Sequence, residues 1–479
     1  MDDQDKRAGM LSGGQVTRRE VLKKGLIGAA GLTVLPAVIA ACSTASSTPT
    51  AAPVATPAGP TPAGPTPAVT TAPTAAGLTG TVTFGSNYSD PVPKKALADI
   101  VAGFNKVQPG VKVTVNTVDH GTFQDQVTSY LGGKPDDVFT WFSGFRMRFF
   151  AAQGLALAID DVWTGLTPHF SDAFKVGSTG DDKHQYFVPI YTYPWAVFYR
   201  PSLWTAKGYT IPKTLDDLKT LCAKMQKDGV IPFAFADKDG WPAMGTFDIL
   251  NLRINGYQFH VDLMAGKQKW TDPKVLAVFN AWKDLMPFHQ TGAAGRIWQD
   301  AAQALVKKQA GMYLLGMFVS EQFKAVDDAT LADLDFFPYP TFGTAYDAEM
   351  ALDAPIDGFM IAAKGAAGTA GPEQDTAKAL ISYLGSGEAE VIYVTADPGN
   401  VAASKDASTA AYSALQKKAA ELIGSAQKIT QFMDRDTRPD FAGANGMQNF
   451  ILKFIGNPAQ DLAALTKQIQ AFWDGLPPQ

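Results

Sequence analysis

YFVPIYTYPWAVFY, from Tyr186 to Tyr199, is a run of mostly aromatic and β-branched residues broken by Pro189 and Pro194. Two prolines exclude a helix interior and an ordinary central strand. What remains is an extended ribbon with apolar groups on both sides. The ribbon lies between two blocks that each alternate strands and helices. It is therefore expected as a crossover between two lobes, with ligand held between them.

The chain has 479 residues, 46% hydrophobic and 18% charged, which is enough for two or three domains with a large core. A net charge of -5 argues against nucleic acid, which needs a basic stripe. Cys42 and Cys222 stand far apart and offer neither a disulfide framework nor a zinc spacing. His120, His169, His184, His260 and His289 show no helical ligand spacing, so each is expected as a polar or core residue, with no metal and no cofactor.

The first 78 residues read as processing and tethering segments. Thr17-Arg18-Arg19-Glu20-Val21-Leu22-Lys23 resembles a twin-arginine export signal, with Arg18 and Arg19 as its pair. A mild Gly/Ala-rich apolar run follows from Gly25 to Ala41, too short for a comfortable membrane span. Ile39-Ala40-Ala41-Cys42 resembles a bacterial lipoprotein box, in which the Cys42 thiol is the only nucleophile able to take a lipid. Residues 43–78 are almost wholly Thr, Pro, Ala and Ser, a semi-extended spacer that can bury no core. The expected place of work is the outer face of the cytoplasmic membrane, at a cell surface or in a periplasm.

Beyond the spacer, Thr81–Phe84, Val111–Val115 and Asp137–Trp141 read as strands, with helical periodicity between them. This order predicts an open parallel α/β sheet, with ligand beyond the strands' carboxyl ends, at the turn Asn87–Asp90 and the run Trp141–Arg146. A helix is expected over Phe149–Gln153. After the ribbon, Thr214 and Asp217 have capping-box spacing, and Asp272-Pro273 reads as N-cap and N1 of another helix. Ile231–Phe235 and Gly311–Gly316 read as strands. Asp357–Ile361 is a candidate second crossing. The remainder reads as helices over roughly 373–396, 405–424, 441–455 and 457–474, the last capped by Asn457-Pro458. Cys222 falls in an apolar helical stripe, as do Trp163, Trp204, Trp282 and Trp473, so these are expected in the core.

Several phrases in order carry a family resemblance: Pro135-Asp136-Asp137-Val138, Gly154–Asp161, Val188-Pro189 through Tyr199-Arg200, Gly208 with Pro212-Lys213-Thr214, and Gln309-Ala310-Gly311-Met312 with Gly316 and Phe318. From about Leu78 onward the chain resembles the extracellular solute-binding proteins of ABC importers, in the sugar-binding group that includes maltose-binding protein. The departures are Arg200 where Asn is common, a missing Gly-Lys before Gln309, and Phe318 in place of Trp.

The resemblance implies an α/β, two-lobed periplasmic-binding-protein fold of the class II type, with a ligand cleft between lobes joined by hinge crossings. The expected division is a signal peptide over 1–41, a tether over 42–78, a first lobe over 79–190 and a second over 191–356. A return crossing and helical part, 357–479, would complete both lobes. The resemblance also implies a monomer without catalysis, which captures a mono- or oligosaccharide by lobe closure and delivers it to a membrane permease.

Sugar sites place aromatic rings beside polar side chains, because a sugar has apolar C–H faces and hydroxyls in the ring plane. Carried over by position, the contacts are Trp141 and Arg146, Trp241 with Asp239, Tyr193 and Phe318. The turn Asn87, Tyr88 and Asp90 follows the first strand, as ligand contacts do in the family. Asp357, Arg435, Asp436 and Arg438 complete the set. Arginines among these favour a neutral, hydroxyl-rich ligand over a polyamine or an iron complex. A secreted glycoside hydrolase is the remaining alternative. It would need two facing carboxylates, and no Gly-x-Ser-x-Gly, His-Glu-x-x-His or P-loop motif occurs.

Overall fold

The computed structural model describes residues 77–349 and 351–477. The export signal, the apolar run, Cys42 and the spacer up to residue 76 lie outside the described residues. The aromatic ribbon divides at Tyr193-Pro194. Its first half is strand β4 (Val188–Thr192) of one sheet, and its second half is β5 (Trp195–Tyr199) of another.

The first sheet also contains β1 (Gly80–Ser86), β2 (Val111–Thr117), β3 (Val138–Phe142), β10 (Ile356–Ile361) and β11 (Val401–Ala402), in the order β11-β4-β10-β3-β1-β2. Strand β1 runs parallel to β2 and β3, while β10 is antiparallel to both β3 and β4. The expected all-parallel sheet is thus confined to β2-β1-β3. The other strands come from distant chain, which enters from the opposite end. Pro189 lies within this sheet, which corrects the exclusion of an inner strand. The β11 side is paired only at Tyr191 and Thr192, and on the β10 side the register shifts between Asp357 and Gly358, Pro189's partner. A proline's missing donor is tolerated at such an irregularity.

The second sheet has the order β6-β7-β5-β8, with β6 (Ile231–Phe233), β7 (Ala310–Gly316) and β8 (Asp335–Phe337). Two short parallel strands, β9 (Ala351–Asp353) and β12 (Lys428–Thr430), stand between the sheets in sequence order. The chain therefore passes between sheets at Tyr193-Pro194, between β8 and β10, and between β11 and the helix Met433–Asp436. Helix Ala414–Ser425 spans the last passage. Gln416 Nε2 donates to Val394 O and Asn400 O at 2.8 and 3.0 Å, and Lys418 Nζ donates to Asp335 Oδ1 and Phe336 O at 2.6 Å each.

Local signals place the helices around the sheets. Thr214 and Asp217 form the expected capping box, and Asp272 accepts from Lys274 N at 2.8 Å. The last helix, Leu462–Asp474, starts later than expected. Asp461 caps it by accepting from Ala464 N, whereas Asn457-Pro458 lies before it. Helix Phe145–Ala152 starts early and takes in Arg146. Trp163, Trp204 and Trp282 are buried in the main core, and Trp473 packs against it half-buried. Cys222 is buried too, and burial pushes its thiol up to about 12, an inert group.

One long helix, Met244–Met264, has no counterpart in the sequence reading. It kinks at Gly256, whose φ of 81° is open to glycine, and a Cβ there would lie 2.3 Å from the Tyr346 ring. Among the described residues no helix is long and apolar enough to cross a membrane.

Candidate functional site

A cavity lies where the two sheets face each other across the crossings. Its volume is about 90 Å³. On the same measure one water needs roughly 10–15 Å³, so there is room for about six to nine waters. That suits one small ring and not a chain of them.

The first sheet supplies the turn after β1, with Asn87, Tyr88 and Asp90, and the start of β10, with Asp357. Crossing residues Tyr191, Tyr193 and Trp195 form the floor. From the second lobe come Trp241, Trp298, Phe318 and Glu321, and the segment Phe432–Arg435 adds Phe432, Asp434 and Arg435. The aromatic wall is closely packed. Trp298 meets Phe318 edge-on at 5.1 Å, Tyr193 meets it at 5.4 Å, and Trp195 stacks on Phe432 at 4.8 Å with 9° between planes. Gly316 makes this possible, because a Cβ there would stand 2.4 Å from the Phe318 ring and 2.8 Å from Tyr193.

The polar side centres on Arg435. Its guanidinium lies 3.9 Å from the Phe142 ring centroid and bonds the Asp357 carboxylate. Burial alone would lower the pKa of Arg435, but Asp357, Tyr193, Asp434 and Tyr191 together more than compensate, so the net shift is upward and the charge stays. Burial pushes Asp357 up to about 6, and Arg435 opposes this. His120 lies between Trp241 and Phe142, at 6.1 and 6.3 Å, and burial lowers its pKa to about 4, which leaves it neutral.

Six buried polar atoms on cavity-lining residues have no hydrogen-bond partner among the described residues: Asn87 Nδ2, Tyr88 Oη, Trp195 Nε1, Asn400 Oδ1, Asp434 Oδ1 and Arg435 Nε, the last two lying 3.6 Å apart. Each costs about 1–3 kcal/mol if left so. Three N–H donors, two acceptors and one hydroxyl beside aromatic faces match what a hydroxylated ring offers.

Eight of the sequence-derived candidates line this cavity: Asn87, Tyr88, Asp90, Tyr193, Trp241, Phe318, Asp357 and Arg435. The others do not. Trp141 packs among Phe123, Phe139, Phe142 and Phe150, buried behind β3. Arg146 works from behind, with Nη1 bonding Gln124 Oε1 at 2.7 Å and Nη2 lying 3.5 Å from Asp434. The Asp436 carboxylate accepts from Gln431 N at 2.9 Å, and burial pushes it up to about 7. Arg438 is spent on Asp440, with two bonds of 2.6 Å, and on Pro477 O. Asp239 faces a neighbouring compartment instead.

Sequence reasoning missed His120, Gln124, Trp195, Trp298, Glu321, Asn400 and Phe432. Asp434 carried a usable signal, since Asp434-Arg435-Asp436 is a charge cluster beside the apolar Phe432-Met433. The loss of Arg146 and Arg438 from the cavity also removes an argument against cationic ligands. Asp90, Glu321, Asp357 and Asp434 share the cavity with Arg435 alone among lysines and arginines, and Asp434 also lies 3.5 Å from Arg146 Nη2 behind the wall.

The pattern of the bacterial extracellular solute-binding protein family matches residues 85–391. The chain belongs to that family. This extracellular solute-binding protein is similar in structure to the bacterial solute receptor AcbH, which has an exclusive substrate preference for β-D-galactopyranose. The two share 45% identity with a TM-score of 0.78, over 82% of this chain and 98% of AcbH. An uncharacterized ABC transporter extracellular-binding protein of Pyrococcus horikoshii is 25% identical over 70% of this chain and 74% of its own length. The alpha-glucosides-binding periplasmic protein AglE of Rhizobium meliloti is 24% identical over 74% of this chain and 79% of its own length.

Proposed function

We propose that this protein is the carbohydrate-binding component of an ABC importer, capturing a sugar by lobe closure and handing it unchanged to a membrane permease. The observation that carries the reading is the cavity itself. Aromatic faces from Trp241, Phe318 and Trp298 stand beside buried donors and acceptors that lack protein partners. Likeness to AcbH supports a single pyranose as the ligand, and the small volume suits one.

The mechanism is a shift in population. Ligand that touches both lobes favours the closed form by its extra affinity for that form. A bias of about 1–3 kcal/mol makes closure report occupancy. The protein is read as a monomer, exported through the Arg18-Arg19 signal and held at the outer face of the cytoplasmic membrane by a lipid on Cys42. It binds without catalysis.

The surplus of carboxylates over Arg435 favours a second reading, a polyamine ligand. A thermal-shift screen of mono- and oligosaccharides alongside spermidine and putrescine separates the two. A sugar is expected to raise the melting temperature. A shift with polyamines alone would reject the carbohydrate reading.

A further inference from the structure

Arg146 is buried behind the cavity wall and divides its planar guanidinium between two segments far apart in the chain. Its Nε donates to Asp434 O, and its Nη1 donates to Gln124 Oε1 at 2.7 Å. Gln124 and Asp434 both line the cavity. An arginine has only donors, so it fixes which end of the Gln124 amide faces it. The amide nitrogen then points the other way, where Nε2 lies 2.7 Å from His120 Nε2. That amide brings a hydrogen, so His120 Nε2 accepts and carries none. Burial keeps the ring neutral, and its one proton is left on Nδ1. A backbone hydrogen bond with Asn87 opposes the effect of burial, as a carbonyl accepting that N–H does. Asn87 is in turn fixed by Thr140, whose Oγ1 accepts from Asn87 N and donates to Asn87 Oδ1, at 2.9 Å each. The free end of its amide is the donor Nδ2, one of the unpartnered atoms at the cavity.

We propose that Arg146 is a positioning residue for the ligand wall: acting through Gln124, it holds His120 as the Nδ1-protonated tautomer and so seats the turn that offers Asn87 Nδ2 to ligand. The inference concerns the wall itself and goes beyond the carbohydrate reading. The chain of donors runs one way, from Arg146 to Gln124 to His120 to Asn87. No member can be reversed alone. If the Gln124 amide turned over, its nitrogen would meet the Arg146 N–H. If His120 took a proton on Nε2, it would meet the Gln124 N–H. Either reversal sets donor against donor where no water can relieve them. The ring therefore adds no charge beside Arg435.

Long-range proton–nitrogen correlation spectra of the full chain, labelled in its histidine rings, test this at pH 7, with His120→Asn assigning the signal. The unmodified protein is expected to show Nδ1 protonated and Nε2 bare, against the preference of a free histidine side chain. Gln124→Glu replaces the donor with a second acceptor and is expected to put a proton on Nε2. Arg146→Met frees the amide to turn, and a measurable population with Nε2 protonated is expected. Both variants are expected to weaken D-galactose binding about fivefold or more in calorimetry, because Asn87 loses its seat. A ring protonated at Nε2 in the unmodified protein would overturn the inference, as would His120 signals untouched by Gln124→Glu. Unchanged D-galactose affinity in both variants would overturn the positioning role. If Arg146→Met does not fold, Gln124→Glu decides. If D-galactose does not bind the unmodified protein, that failure counts against the carbohydrate reading, and the ring proton alone decides this inference.

Discussion

Gln299 and Asp90 join the two lobes at the cavity rim, where Gln299 Nε2 donates to both carboxylate oxygens of Asp90 at 3.2 and 3.4 Å. Asp90 occupies the N-cap of the helix Pro91–Val107, yet its side chain caps no backbone N–H. An aspartate there could contribute about 1 kcal/mol by capping. Here it turns instead to the helix Trp298–Val306 of the other lobe. On the proposed closing motion this bond would break as the lobes part, so it would act on the balance between open and closed forms. Gln299→Ala is expected to speed ligand release by roughly threefold to tenfold and to leave unfolding unchanged. Stopped-flow dissociation measures this, and an unaltered rate would make the contact incidental.

The Arg435–Asp357 pair should behave differently, because it is buried. Arg435→Leu strands a carboxylate in the core, and about 3–5 kcal/mol of stability is expected to be lost. Converting both residues, Arg435→Met with Asp357→Leu, is expected to restore most of that loss, because no charge is left uncompensated. Ligand binding should stay absent in the double variant, since the cavity has lost its polar centre. Urea denaturation and calorimetry on the three proteins check both halves.

The division at Tyr193-Pro194 was legible because two prolines in an aromatic run leave few conformations. Helix starts were legible where capping chemistry is local, as at Thr214 and Asp272. Helix Met244–Met264 was not, because it buries Asp248, Asn251, Asn255 and His260 along with its apolar residues, and no exposed face breaks the pattern. The same limit applied to the site. Residues on the ends of early elements, such as Asn87 and Asp90, could be placed from strand order. Trp298, Asn400 and Phe432 reach the cavity only through tertiary packing. Trp141 and Arg146 sit near the right strand end, but the early start of the helix Phe145–Ala152 goes with their placement behind it.

Trp241 lines both the cavity and the neighbouring compartment that Asp239 faces, so removing its ring should be felt by any ligand. Trp241→Ala is expected to weaken binding by at least about tenfold. Trp241→Phe, which keeps a smaller aromatic face, should fall between. Circular dichroism establishes that the fold persists, and unchanged affinity in the alanine variant would remove this residue from the site.

Cys42 stands outside the described residues, so its role is tested in cells. With the lipid gone, the preceding apolar run is too short and mild to hold the protein on a bilayer. Cys42→Ser is expected to move the protein from the membrane fraction to the soluble one. Persistent membrane association would reject the anchor.

Ligand affinity should also depend on pH through an acid pair at the lobe interface. Glu321 lies on the helix Ser320–Lys324 of the second lobe, and Asp397 follows the helix Gly387–Ala396 of the first. The two segments abut closely, since a Cβ on Gly399 would lie 2.9 Å from Phe318 Cα and 3.1 Å from Asp397 Oδ1. Burial pushes Asp397 up to about 7 and Glu321 well above its ordinary range, with Asp397, Asp90 and Asp357 adding to the latter. Gly399 N, donating to Asp397 at 3.0 Å, opposes the shift only in part. Among the described residues neither carboxyl is paired with a lysine or arginine. Opening admits water and returns both groups toward ordinary carboxylate values, so the closed form holds more protons. Affinity is therefore expected to fall as pH rises through about 7, by at most about tenfold per pH unit for each proton. His120 acts in the opposite sense, because burial lowers its pKa, but only where the open form is protonated, below roughly 6.5. The clean window is pH 6.5 to 8. Calorimetry there, in two buffers of different ionisation heat, should record proton uptake on binding, and Asp397→Asn should reduce it. Proton release, or a flat profile in the unmodified protein, would show that the pair stays ionised when the lobes close.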